Sequence, residues 1–108
     1  MTRTTPDELT TLWAGHSALP FPDGLRGLDA PTGESVAALD AYMAGCITAY
    51  LSTGTLDTQR YRTLRACAEQ LGGVLPQLGG EDADYVSRLL QVAERIAADA
   101  ARTHCHFE

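Results

Sequence analysis

The sequence predicts an all-α protein: a small antiparallel helical bundle of three long helices, preceded by one short N-terminal helix. Three observations carry that prediction. Apolar residues recur every three or four positions in three separate segments, the segments are punctuated by capping residues, glycine and proline, and no stretch alternates with period two. At 108 residues the chain has the size of one domain with a real core, so 1–108 is read as a single helical domain.

The first helix opens at Thr5-Pro6-Asp7-Glu8. Thr5 is placed to cap it, Pro6 occupies a first-turn position where the missing N–H costs nothing, and Glu8 completes a capping box. The helix is expected to end near Gly15–His16. Residues 17–33 hold three Pro and three Gly and read as a long structured loop, with Trp13 as a core anchor beneath it and Phe21 alongside. The loop exceeds the usual connection between helices, which favours a binding role over a plain linker.

The second helix spans 34–52 and stops before Gly54. The third begins near Asp57, a natural N-cap, and carries Tyr61, Leu64, Ala68, Leu71 and Leu75 at helical spacing. Gly72, Gly73 and Pro76 are expected to end or kink it, leaving the following residues as a separate turn. The fourth helix runs from Glu81 to about Arg102 with Val86, Leu89, Ala93, Ile96 and Ala100 as its apolar stripe. Glu81, Asp82 and Asp84 in its first turn suit the helix dipole. Short connections at 53–56 and 77–80 make the last three helices antiparallel neighbours.

The second helix stands apart. Between Ser35 and Ser52 its one charge is Asp40, so it is expected to be buried on most sides. Ala37, Ala41, Gly45 and Ala49 form a row of small residues along it, suited to a close helix crossing. The favoured reading is an intrachain contact with Ala93, Ala97 and Ala101 of the fourth helix. The sharper one is a homodimer seam through helix 34–52.

Charge and composition remove several functions. All eight basic residues are Arg against fourteen acidic ones, a net charge of −6 that argues against nucleic-acid binding, which requires basic surface. The N-terminus is polar, and the longest apolar stretch, 36–51, contains Asp40, so neither a secretory leader nor a membrane span is expected. Three Cys without an export signal favour reduced thiols and a cytoplasmic location.

The C-terminal tail, 104–108, contains His104, Cys105 and His106. On a helix the two imidazoles would lie about 200° apart; in an extended tail they share one side. A closed zinc site needs further ligands, and the spare candidates His16, Cys46 and Cys67 show no paired spacing, so neither a metal nor any other cofactor is expected. Asp40 shares a stripe with Val36, Met43 and Ile47. An ion pair with Arg62 or Arg65 of a neighbouring helix is its favoured role, because an unpaired buried charge is costly; the alternative is a pocket acid with a raised pKa. Arg60, Arg62 and Arg65 form a candidate patch for a small anion or an acidic partner, in a place where the dipole disfavours cations. The letters Trp13-Ala14-Gly15 match the Trp-x-Gly turn of small secreted helical-hairpin proteins. That turn lies mid-chain between two long helices and is followed by an export signal absent here, so nothing is carried over.

Antiparallel packing would sort the charges. One end gathers the loop, with Phe21, Asp23, Arg26 and Asp29, and the acidic residues Glu81, Asp82 and Asp84; the other gathers Arg60, Arg62, Arg102 and the tail. No pair of catalytic groups stands out. The sequence therefore reads as a non-enzymatic cytoplasmic protein that binds and regulates a protein partner through the acidic end, an inhibitor or immunity-type module being one concrete form. The alternative is a small-molecule- or metal-binding bundle using Asp40 and the loop, or the tail.

Overall fold

The structure, a computed structural model, describes residues 6–104, with side chains placed from 8 to 101. The expected Thr5 cap lies outside these residues, as do Cys105 and His106 and the side chains of Arg102 and His104. Four α-helices follow one another: α1 (Pro6–Ser17), α2 (Val36–Thr53), α3 (Thr58–Val74) and α4 (Gly80–His104), with short 3-10 turns at Asp23–Leu25 and Leu75–Gln77. Among the described residues the sole extended pairing is one antiparallel bridge between Asp29 and Ser35. The all-α bundle of three long helices and a short one is the observed fold.

Local chemistry sets the boundaries. Ser35 caps α2 by accepting from the Ala38 N–H at 3.1 Å, and Asp57 caps α3 by accepting from the Arg60 N–H at 2.7 Å. Gly54 takes φ 78°, a left-handed backbone that glycine adopts without penalty, and its N–H closes α2 onto the Tyr50 carbonyl. Gly72 and Gly73 do not break α3 as expected; the helix runs through them to Val74. Leu71 and Val74 flank the pair and are both buried, and that burial outweighs a propensity cost of about 1 kcal/mol per glycine. Pro76 instead ends the helix, by turning the backbone into the 3-10 segment.

The core is one continuous cluster. Val36, Leu39, Met43, Ile47 and Tyr50 of α2 meet Leu64, Cys67 and Leu71 of α3, and Val86, Leu89, Ala93, Ile96 and Ala100 of α4. The short connections fold each helix back along its predecessor, with α1 laid on α4. Leu9 and His16 are the buried residues of α1, and Trp13 packs between them in sequence on the same face. The 18–35 loop is structured as expected. Leu25 is fully buried beneath it, the Val36 N–H reaches the Leu28 carbonyl at 2.9 Å, and the Thr32 hydroxyl donates to Gln70 of α3.

Helix α2 corrects the sequence reading. Ala37, Ala41 and Gly45 are exposed and Ala49 is half-buried, so the small-residue row does not pack against α4. A side chain added at Gly45 would meet nothing within 4 Å. Ala97 and Ala101 of α4 instead line a groove with α3. A four-helix chain has too few neighbours to surround α2, and Ala, Gly and Thr are the side chains whose exposure forfeits least apolar burial. With that face in water, Gly45→Ala should stabilise the protein by up to about 1 kcal/mol through helix propensity. Gly45→Leu should be neutral within about 0.5 kcal/mol in urea denaturation, as surface changes usually are.

Candidate functional site

The loop and the first turns of α4 come together as the charge-sorting argument requires. Glycine at position 24 lets the 3-10 turn approach Asp82 of α4, since any Cβ there would collide with that carboxylate. Leu19, Pro20 and Pro22 of the loop face Glu81, Asp84, Tyr85 and Arg88 of α4 across a cleft of about 510 Å³. Its lining combines the apolar surface of Leu19, Pro20, Pro22 and Tyr85 with two carboxylates, Glu81 and Asp84, and one cation, Arg88. Leu19 remains 40% exposed at the mouth. Asp23 and Arg26 pair with each other at 3.0 Å on the outer surface, and exposed Asp29 marks the loop's far side through its bridge to Ser35.

From that surface a chain of stacked groups runs inward. The Arg26 guanidinium lies 5.7 Å from the Phe21 ring centre. Phe21 meets Tyr85 edge-on at 5.7 Å, Tyr85 lies 4.4 Å from His16, and His16 stacks on Trp13 at 5.6 Å. The Tyr85 hydroxyl donates to Asp40 Oδ1 of α2 at 3.0 Å. His16 is 4% exposed, and neither of its ring nitrogens has a protein hydrogen-bond partner among the described residues. An unsatisfied buried polar group of this kind is rare and costs stability.

Burial governs the titration of this cluster. It lowers the His16 pKa below the ordinary 6.5, with Asp40 pulling the other way and Arg88 adding to the depression. It raises Asp40, against the Tyr85 hydrogen bond and the attraction of His16. The Tyr85 phenol is pushed far above its usual range by burial first, then by the Asp40 charge and hydrogen bond. Asp40 thus accepts from Tyr85 and is not the expected ion-pair partner of Arg62 or Arg65. Arg62 points to solvent, and Arg65 donates to the Tyr61 hydroxyl at 3.0 Å while its guanidinium lies 5.8 Å from the same ring.

The opposite end is less unified than its sequence suggests. Arg60 is bound to its own cap residue, Asp57, at 2.6 Å, and its N–H on that carboxylate is the first cause holding Asp57 below the usual range. With Arg65 turned onto Tyr61, the candidate anion patch of Arg60, Arg62 and Arg65 retains one side chain, Arg62, with no ion pair or ring contact among the described residues. Cys46 and Cys67 are buried free thiols whose pKa values burial raises, an environment that suppresses thiolate chemistry. Among the described residues no three His, Cys, Asp or Glu side chains converge on a position for a metal, and no helix is long and apolar enough to cross a membrane.

Sequence reasoning placed the loop and the acidic turn together but missed Tyr85 and His16 as the groups that act on Asp40. One signal was available. His16 continues the Leu9–Trp13 spacing of α1, which puts an imidazole on its apolar face. Comparison with protein-family models, curated proteins and solved structures finds no match to this chain.

The opposed shifts of His16 and Asp40 fix an order of pH sensitivities. His16 contributes its stability fully above about pH 6.5, and that stability is lost as pH falls, because the unfolded chain takes up the proton first. Asp40 acts in reverse: its raised value penalises the fold at neutral pH, and protonation relieves the penalty as pH falls through that value. Measured by urea denaturation at about pH 7 and about pH 5, the acid loss should be smallest in His16→Phe, intermediate in the parent and largest in Asp40→Asn. A His16→Phe variant losing as much stability as the parent would remove His16 as the cause.

Proposed function

We propose that this is a non-enzymatic binding protein that regulates a protein partner, and that the loop–α4 face is where the partner binds. One observation carries the reading: the loop and α4 form a cleft in which Leu19, Pro20, Pro22 and Tyr85 supply apolar surface beside the carboxylates of Glu81 and Asp84, with Arg88 as its one cation. Asp82 of the same helix turn adds a further carboxylate beside the 3-10 turn of the loop. The chemistry that fits is a segment carrying Arg or Lys beside an apolar anchor: the anchor displaces water from the cleft, and the cations meet the rim. A chain of net −6 steers such a partner inward at low ionic strength. An acidic inhibitor or immunity-type module is one concrete form of this reading.

Peptide selection against the full chain tests it. Selected binders should be basic with one or two large apolar residues, and should weaken as salt rises. Glu81→Lys with Asp84→Lys should cost at least about tenfold in affinity, each reversed charge at a rim acting mainly through association. Arg60→Glu with Arg62→Glu, at the far end, should leave affinity unchanged within about twofold. Binders indifferent to the first pair would place the partner elsewhere.

Self-association is the second reading, favoured by the exposed face of α2. Ala37, Ala41 and Gly45 lie open beside Tyr42, which is 52% exposed, with no charge among them. A second copy could bring its own α2 against that row. Sedimentation of the parent should then show a concentration-dependent dimer that Gly45→Leu abolishes without unfolding the chain. A parent monomeric at high concentration discards the homodimer.

A further inference from the structure

We propose that His16 is an acid-sensitive latch: on taking up a proton it draws the Asp40 carboxylate away from Tyr85 and loosens the loop that Tyr85 holds in place. The latch rests on the contacts within the chain; its consequence for binding rests on the loop–α4 reading above.

The geometry contains the necessary parts. A neutral imidazole has one donor and one acceptor, and His16 is 4% exposed with both nitrogens unpartnered. Adding a proton makes both nitrogens donors and places a full charge where no acceptor now meets either. A buried charge must find a counter-charge or leave. The groups that act on it are few. From α2 there is Asp40, which attracts it; from α4 there are Arg88, which repels it, and the neutral Tyr85 phenol in ring contact. From the loop, Phe21 and Arg26 stand beyond Tyr85, and Arg26 is already paired with Asp23. Asp40 is thus the counter-charge open to the imidazolium, and Arg88 opposes any charge that stays unpaired.

Asp40 is where the loop is held. Its Oδ1 accepts the Tyr85 hydroxyl at 3.0 Å, and the Tyr85 ring is the surface on which Phe21 sits edge-on. A cationic donor competes strongly with a neutral phenol for a carboxylate. When Asp40 turns to the imidazolium, the Tyr85 ring loses its tether and Phe21 its seat. The loop also begins on this residue, because the Leu19 N–H donates to the His16 carbonyl at 3.0 Å. Movement of His16 therefore reaches the loop from its root as well as from its lid. Acid would dismantle the cleft wall formed by Leu19, Pro20 and Pro22 while leaving the α2–α3–α4 core in place.

Trp13 is the single tryptophan of the chain and stacks on His16 at 5.6 Å, so its emission, quenched by a protonated imidazole, reads the state of the latch directly. The full chain is titrated from about pH 7.5 to about pH 5 while Trp13 emission, far-UV circular dichroism and amide exchange in the loop are followed. Emission should fall with a midpoint below about 6.5. Exchange across the loop, corrected for its intrinsic pH dependence, should rise at least about tenfold, with helicity constant. Both changes should vanish in His16→Phe, which keeps a ring in the stack, and in His16→Gln, which serves if the phenylalanine variant fails to fold. The latch is overturned by any of four results: quenching without loop exchange, loop exchange that persists in the variants, no quenching in this range, or cooperative loss of helicity with the quench. None of these readouts involves a partner, so their failure leaves the binding reading standing, and failure of the charge-reversal variants leaves the latch standing.

Discussion

Tyr85 is the point through which this fold is tied together. Its ring touches His16 of α1 and Phe21 of the loop, and its hydroxyl holds Asp40 of α2, while the residue itself belongs to α4. Three of the four helices and the one long connection therefore meet at a single side chain. The α2–α3–α4 core is held by distributed aliphatic burial, which tolerates local change. The α1–loop layer has a much smaller apolar share, with Leu9, Leu25 and Ala30 as its buried aliphatic residues. Its geometry follows from the aromatic stack and one polar contact.

That division accounts for the placement of the cleft. A binding surface requires backbone that side chains can reach and a scaffold that does not shift with it. The 3-10 turn and the prolines supply an irregular wall, and the first turns of α4 supply a rigid one with carboxylates where the dipole favours them. The same arrangement leaves His16 buried without partners. Unsatisfied polar groups in a native interior call for a physical reason, and the neutral imidazole at least carries no charge into that site.

The α2 helix illustrates the opposite economy. Its run of apolar and small residues, interrupted by Asp40, reads as a helix buried on most sides, yet the structure covers one side alone. The distinction lies in residue size. Large side chains, Leu39, Met43, Ile47 and Tyr50, mark the covered side, whereas Ala37, Ala41 and Gly45 mark the open one. Hydropathy alone does not separate them; the volume available for burial does.

The sequence by itself determined the helical class, the positions of α2, α3 and α4 to within a few residues, the cap Asp57, and the α4 stripe, whereas the Ser35 cap came from the structure. These are local properties: periodicity, side-chain reach to a backbone N–H, and the backbone freedom of glycine at Gly54 act over four or five residues. It also brought the loop to the acidic start of α4, because short connections constrain which ends meet. Only the tertiary structure decided the partner of Asp40, the burial of His16 and the face on which α2 is open. Asp40 and Tyr85 are 45 positions apart, and Arg62 and Arg65 were equally eligible until α3 turned them outward. Gly72 and Gly73 stayed helical for the same reason. Their local preference was overruled by burial of Leu71 and Val74 against helices that no local pattern specifies.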